Sequence, residues 1–156
     1  SVGPDDVFLA LRGLRTLPLR LNKSFKNSLK IAIYLSNQKE IKNVFHPALN
    51  THPDHKIWKR DFKGASGIFG IEFKKNVSEE AAEYFADQCL LFGKGASWGG
   101  YESLMTMTNL HTNRTLKNSF LPEGPYLRIY VGIENIKDLI EDIKSALKKM
   151  RAKFKS

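Results

Sequence analysis

Cysteine is almost missing from these 156 residues: there is one, Cys89, too few for an internal disulfide or a paired-cysteine zinc site. A reducing compartment, the cytoplasm, is therefore the expected location. No apolar run approaches the ~20 residues that cross a bilayer, so no membrane partner is expected. The opening SVGPDD has neither the basic start nor the hydrophobic stretch of a secretory leader. Neither a nucleophile elbow nor a glycine-rich phosphate loop is present. Acidic residues are scarce beside basic ones, 16 against 25, for a net charge of +9. Much of that excess lies in the closing KSALKKMRAKFKS, where lysines also complement a helix C-terminus. The rest is scattered among acids, without an RNP-like strand or basic zipper, so no specific nucleic-acid partner is expected. The first residue is not methionine, and a turn leads straight into a strong helix, which predicts a piece of a longer polypeptide.

What is present reads as one mixed α/β (α+β) unit. Pro4-Asp5-Asp6 starts a helix whose apolar positions, Phe8, Leu11, Leu14, Leu21, Phe25, Leu29 and Ile33, form a stripe to about Asn37. Pro18 predicts a kink or break near Leu17. Residues 1–39 are expected to be a connector helix, and residues 40–156 a small domain. EIKNVFHPAL and SGIFGIEFK suggest strands, and YLRIYVGI alternates Leu127, Ile129 and Val131 with Tyr126, Arg128 and Tyr130. Ser78 and Asn135 cap two further helices. Residues 105–125 show no clear period and read as a loop. The order helix, strand, strand, helix, loop, strand, helix predicts a small antiparallel or mixed sheet covered by helices.

Two features could carry chemistry. His46, His52 and His55 lie close together, but two precede proline and none belongs to a carboxylate–histidine helix pattern; a loop packed beside Trp58 is expected, and no metal. Cys89 reads as core. Arg128 differs, because a charge inside an apolar strand is costly unless paired. It either points to solvent from the open sheet face or holds a carboxylate in two parallel hydrogen bonds. The segment GASWGGYESL (residues 95–104) could supply backbone N–H groups to the same anion.

Four segments, PDDVFLALRGLRTLPLRL, HPALNTHPDHKIWKRDFKGASGIF, FGKGASWGGYESL and LRIYVGIENIKDLIEDI, resemble in order the motifs of the carboxyl-terminal part of cystathionine beta-lyases. These belong to the Cys/Met-metabolism family of pyridoxal-phosphate enzymes. The resemblance implies the carboxyl-terminal domain of the aspartate-aminotransferase-like superfamily, an antiparallel sheet covered by helices behind a long connector. It implies a carbon–sulfur lyase converting cystathionine to homocysteine, pyruvate and ammonia, with pyridoxal phosphate in the intact enzyme, a sulfur amino acid as substrate, and a homo-oligomer, tetrameric in the family. Arg128 is similar to the arginine that grips the substrate α-carboxylate. Ser97 and Trp98 resemble the pair that completes this grip, Ser97 lying near the catalytic lysine in relatives and Trp98 shaping the pocket. Trp98 also resembles beta-lyases rather than gamma-acting relatives, which usually carry leucine there. Gly99 and Gly100 would let the backbone turn, with Tyr101, Glu102 and Ser103 in support. Lys94 and Ala96 depart from the pattern, standing where beta-lyases commonly carry an apolar residue and a tyrosine. The family's Schiff-base lysine, phosphate cradle and pyridinium-pairing aspartate would all precede Pro4, so this chain alone is expected to be inactive. The alternatives are a segment of a gamma-acting relative and a non-catalytic remnant or binding domain.

Overall fold

The computed structural model describes residues 2–96, 99–113 and 121–154. Ten elements follow in order: α1 (Pro4–Ser36), β1 (Ile41–Phe45), α2 (His55–Asp61), β2 (Ile68–Phe73), α3 (Glu79–Gln88), β3 (Gly93–Lys94), β4 (Leu104–Met107), α4 (Leu110–Asn113), β5 (Tyr126–Tyr130) and α5 (Ile136–Lys153). Their ends follow local chemistry. Gly3 caps α1 in an extended conformation, Pro4 fills the first helical position, and Asp5 and Asp6 meet the positive end of the helix. The Ser78 hydroxyl accepts the Ala81 N–H at 3.1 Å, and the Asn135 amide oxygen accepts the Lys137 N–H at 3.0 Å, as the capping residues predict.

The strands form one sheet in the order β1-β2-β5-β4-β3, every pairing antiparallel except the short parallel match of β3 with β4. Both β3 and β4 escaped the sequence reading, as did α2 and α4. A two-residue strand has no period to detect, and β4 and α4 lie in or beside a segment read as a loop. The seven residues of α2 bury no side chain, so they carry no apolar stripe.

Helices cover one face of the sheet. Phe69, Ile71 and Phe73 of β2, Leu127 and Ile129 of β5, Val131 beyond it and Met105 of β4 are buried against Phe85 of α3 and Leu139, Ile143 and Leu147 of α5. Phe73 meets Phe85 edge-on at 5.9 Å between centroids. Each large side chain removed from water there stabilises the fold by roughly 1.5–3 kcal/mol. Cys89 lies in this core, where burial pushes its thiol up, away from reactivity, as its sequence context suggested. Arg151 of α5 ties the ends of the domain together. Its guanidinium donates to both oxygens of the buried Glu40 carboxylate at 2.7 Å, and to Gln38 Oε1 at 3.1 Å.

α1 is a single helix from Pro4 to Ser36, so of the two outcomes expected near Leu17 a break is not realised. Only its second half packs on the sheet, and the packed face departs from the expected stripe. Ile33 is exposed, while Ser24, Asn27 and Ser28 are buried together with Ile31, Ala32 and Leu35. These polar groups dock by hydrogen bonds. Asn27 Nδ2 donates to the carbonyls of Gly132 at 3.1 Å and Glu134 at 2.9 Å, and Ser24 Oγ donates to the carbonyl of Val131. Ser28 Oγ bonds to Nε2 of His46, whose Nδ1 accepts the Ala48 N–H. That acceptor role leaves the imidazole proton on Nε2, and burial lowers the His46 pKa to about 4. Gly67 lies so close beneath this junction that a methyl group there would collide with Ser24 Oγ and the Val131 carbonyl.

Candidate functional site

The other face of the sheet carries a different set of side chains. The alternation that buries Phe69, Ile71, Leu127 and Ile129 turns Ile68, Gly70 and Glu72 of β2, and Tyr126, Arg128 and Tyr130 of β5, to the opposite side. Register then aligns them: Arg128 stands between Gly70 and Thr106, while Glu72 stands between Tyr126 and Asn43.

Arg128 is half-buried and lines a cavity of about 420 Å³ with Ile68, Phe69, Gly70, Thr108, Leu110 and Tyr126. A guanidinium so placed can offer two parallel N–H donors to a carboxylate, in surroundings where the pair is partly shielded from water. Glu72, one rung away, is not a competing partner of first resort, since its buried carboxylate already accepts from Asn43 Nδ2 at 2.7 Å, the Glu123 N–H at 2.9 Å and Lys42 Nζ at 3.3 Å. Burial by itself would raise the Glu72 pKa, but the hydrogen bonds from Asn43, Glu123 and Lys42 outweigh it and hold the carboxyl below its usual range. Glu72 therefore stays charged and fixed.

The glycine loop runs along the same strand. Tyr130, two residues beyond Arg128 and on its face, donates its hydroxyl to the Gly100 carbonyl at 3.0 Å. Gly99 adopts φ +100°, in the region that disfavours side-chain-bearing residues, and among the described residues beyond its chain neighbours none crowds it. Tyr101 and Glu102 are exposed, and the Tyr101 carbonyl accepts from the Ile133 N–H at 3.0 Å. The anchoring side chain is Ser103, which is buried. Its N–H and hydroxyl donate to the two oxygens of Glu134 at 2.6 and 3.0 Å, and its oxygen accepts the Gly132 N–H at 3.0 Å. Glu134 was missed in the sequence, where it reads as an ordinary pre-cap acid. Ser97 and Trp98 lie outside the described residues. Lys94 turns to pair with Asp87 of α3, away from the lining of the Arg128 cavity.

The histidines form no metal centre: among the described residues no group of three or more His, Cys, Asp or Glu could hold a metal ion. His55 packs 5.4 Å from the Trp58 ring and bonds through Nδ1 to the Pro47 carbonyl, the packing expected of that loop. No helix among the described residues is long and apolar enough to cross a membrane.

The family model for Cys/Met metabolism PLP-dependent enzymes matches residues 1–148. The chain belongs to this family. It is 36% identical over 153 residues to the cystathionine beta-lyase of Haemophilus influenzae, covering 96% of this chain and 38% of that one. Against the L-alanine/L-glutamate racemase of Wolbachia pipientis it is 40% identical over 151 residues, covering 96% and 37%. A crystal structure of cystathionine gamma synthase from Xanthomonas oryzae, in complex with aminoacrylate and cysteine, superposes with a TM-score of 0.84 at 33% identity, over 97% of this chain and 40% of that one. The chain thus spans under two-fifths of the length of these curated relatives. A mixed α/β unit with helices on a five-stranded sheet is this family's fold, as the sequence implied.

The family implies pyridoxal phosphate in the intact enzyme. Among the described residues, the lining of the Arg128 cavity contains no lysine amine, so these residues suit a carboxylate and do not fit covalent attachment of the cofactor.

Proposed function

We propose that this chain is the carboxyl-terminal, substrate-carboxylate-binding part of a carbon–sulfur beta-lyase, whose parent reaction takes cystathionine and water to homocysteine, pyruvate and ammonia. The observation that carries the reading is Arg128, presented from the middle of β5 into a cavity beside the anchored glycine loop. Its guanidinium grips the α-carboxylate of a sulfur amino acid and so fixes which bonds at the α- and β-carbons face the reacting group. Ser97 and Trp98 complete the grip from the loop that Tyr130, Ser103 and Glu134 steady. Pyridoxal phosphate supplies the electron sink for this class of chemistry. It is held by an upstream domain, against which the connector helix and the open sheet face dock, in a homo-oligomer working in the cytoplasm.

The test uses full-length protein. Cystathionine should yield homocysteine and pyruvate, and Arg128→Lys should raise KM by the equivalent of ~1–3 kcal/mol, because an ammonium cannot reproduce the planar two-donor fork. An unchanged KM would remove Arg128 from the site. The 156-residue chain mixed with cofactor alone should release no pyruvate, and adding the separately produced upstream segment should restore release.

A gamma-acting relative is the second reading, favoured by the gamma synthase and by a solved O-acetylhomoserine sulfhydrylase of Wolinella succinogenes, 33% identical with a TM-score of 0.81. Product analysis separates them, since cleavage of the other carbon–sulfur bond gives cysteine and 2-oxobutyrate.

A further inference from the structure

Gly70 has a neighbour that sequence spacing did not reveal. A methyl group built on its Cα would fall on the hydroxyl oxygen of Tyr126. Tyr126 pairs in register with Glu72, whereas Gly70 pairs with Arg128. The phenol therefore leans diagonally across the sheet, from its own rung to the rung of the arginine, and ends over the bare backbone of the neighbouring strand. Adjacent strands lie about 4.8 Å apart. The hydroxyl and the guanidinium thus rise from the same rung, on the same face, into the same cavity. The Phe45 ring, 5.9 Å away between centroids, flanks the phenol, and Phe45 is itself the register partner of Gly70. Glycine at position 70 is what gives the ring this room.

We infer that Tyr126 is a specificity-determining residue of the Arg128 site, its phenol donating a third hydrogen bond to the carboxylate held by the guanidinium. The inference rests on the proposed role of Arg128. A carboxylate offers about four lone-pair positions, of which the arginine fork takes two, and a tyrosine hydroxyl can donate as well as accept. Thr108, whose N–H donates to the Tyr126 carbonyl at 3.0 Å, borders the same cavity and closes its other side. The grip then selects for ligands that bring a carboxylate to this rung and against amines that lack one.

The experiment compares full-length wild type with Tyr126→Phe and Arg128→Lys. Binding of L-alanine, and of ethylamine as its counterpart without the carboxylate, is followed by ligand-observed NMR, and KM and kcat for cystathionine are measured alongside. Tyr126→Phe keeps the ring and its packing and loses only the donor. It should weaken L-alanine binding roughly tenfold, as removal of a charge-assisted hydrogen bond does. Ethylamine binding should stay put, and KM should move more than kcat. Gly70→Ala displaces the phenol by filling its place and should reproduce the loss with tyrosine still present; if that variant does not fold, Tyr126→Phe alone decides. Tenfold weakening in Arg128→Lys with Tyr126→Phe within twofold of wild type overturns the role of Tyr126 and leaves Arg128 standing. No change in either variant overturns both.

Discussion

The two faces of one sheet are built to opposite rules. On the helix-covered face, Phe69, Ile71, Phe73, Leu127, Ile129 and Val131 are buried in one apolar core. One residue along each strand, the open face carries Gly70, Glu72, Tyr126, Arg128 and Tyr130: Glu72 accepts from Asn43, Tyr130 donates to the Gly100 carbonyl of the glycine loop, and Tyr126 and Arg128 line the 420 Å³ cavity. The same backbone serves both because strand side chains alternate. Stability and recognition are thus separated by a single step in sequence. Substitutions on the covered face should unfold the protein, whereas those on the open face should change what it binds.

The largest effect expected is on the covered face. Phe73→Ala removes a fully buried ring from its contact with Phe85 and should cost about 3–5 kcal/mol, read as a fall in the urea midpoint of full-length protein. Arg128→Lys should shift that midpoint by no more than ~0.5 kcal/mol while raising KM. A comparable loss of stability in both variants would erase the distinction between the faces.

A second break acts through acid. His46 has its pKa lowered to about 4 from an ordinary 6.5, so the unfolded chain takes up the proton more readily than the folded one. The stability this burial confers is complete above pH 6.5 and is lost as pH falls from 6.5 towards 4, about 3 kcal/mol across the window at 1.36 kcal/mol per unit. Protonation also sets an N–H against the Ala48 N–H that Nδ1 now accepts. Urea midpoints measured between pH 7 and pH 4 should fall steeply in wild type. In His46→Gln the fall should be shallower by that amount, and parallel curves would remove the imidazole as the cause.

How much was legible in the sequence follows the same division. Alternation in YLRIYVGI gave β5 with the correct residues on each face, and the serine and asparagine caps placed α3 and α5. The docking of α1 was less legible, because Ser24 and Asn27 hold it by bonds to the backbone of Val131, Gly132 and Glu134, more than 100 residues away. No hydrophobic period records such bonds. β4 was lost because four residues, LMTM, sit between a loop and a segment without pattern. At the site, Arg128 was visible as a charge inside an apolar strand, but Gly70 and Tyr126 were not, since their meeting depends on register between strands over 50 residues apart. Glu134 was hidden for the same reason, its carboxylate reaching back 31 residues to Ser103.

The smallest effect expected lies at the rim of the open face, and it sharpens the comparison most. Gly99 sits at φ +100° with no described residue beyond its chain neighbours within 4 Å of where a side chain would begin, so Gly99→Ala meets no steric wall among them. Its cost is conformational alone, ~1–2 kcal/mol for placing an L side chain at positive φ. Because Gly100 is held by Tyr130, and Ser103 by Glu134, the strain should be relieved by the intervening loop rather than by the sheet. Gly99→Ala should therefore raise KM for the amino-acid substrate a fewfold while the urea midpoint barely moves, and Gly132→Ala should do the reverse. A methyl group at Gly132 would strike the Tyr101 carbonyl, where the loop backbone passes directly over the end of β5, so its cost falls on folding. Equal effects of the two alanines on KM and on stability would mean that loop and sheet respond as one body.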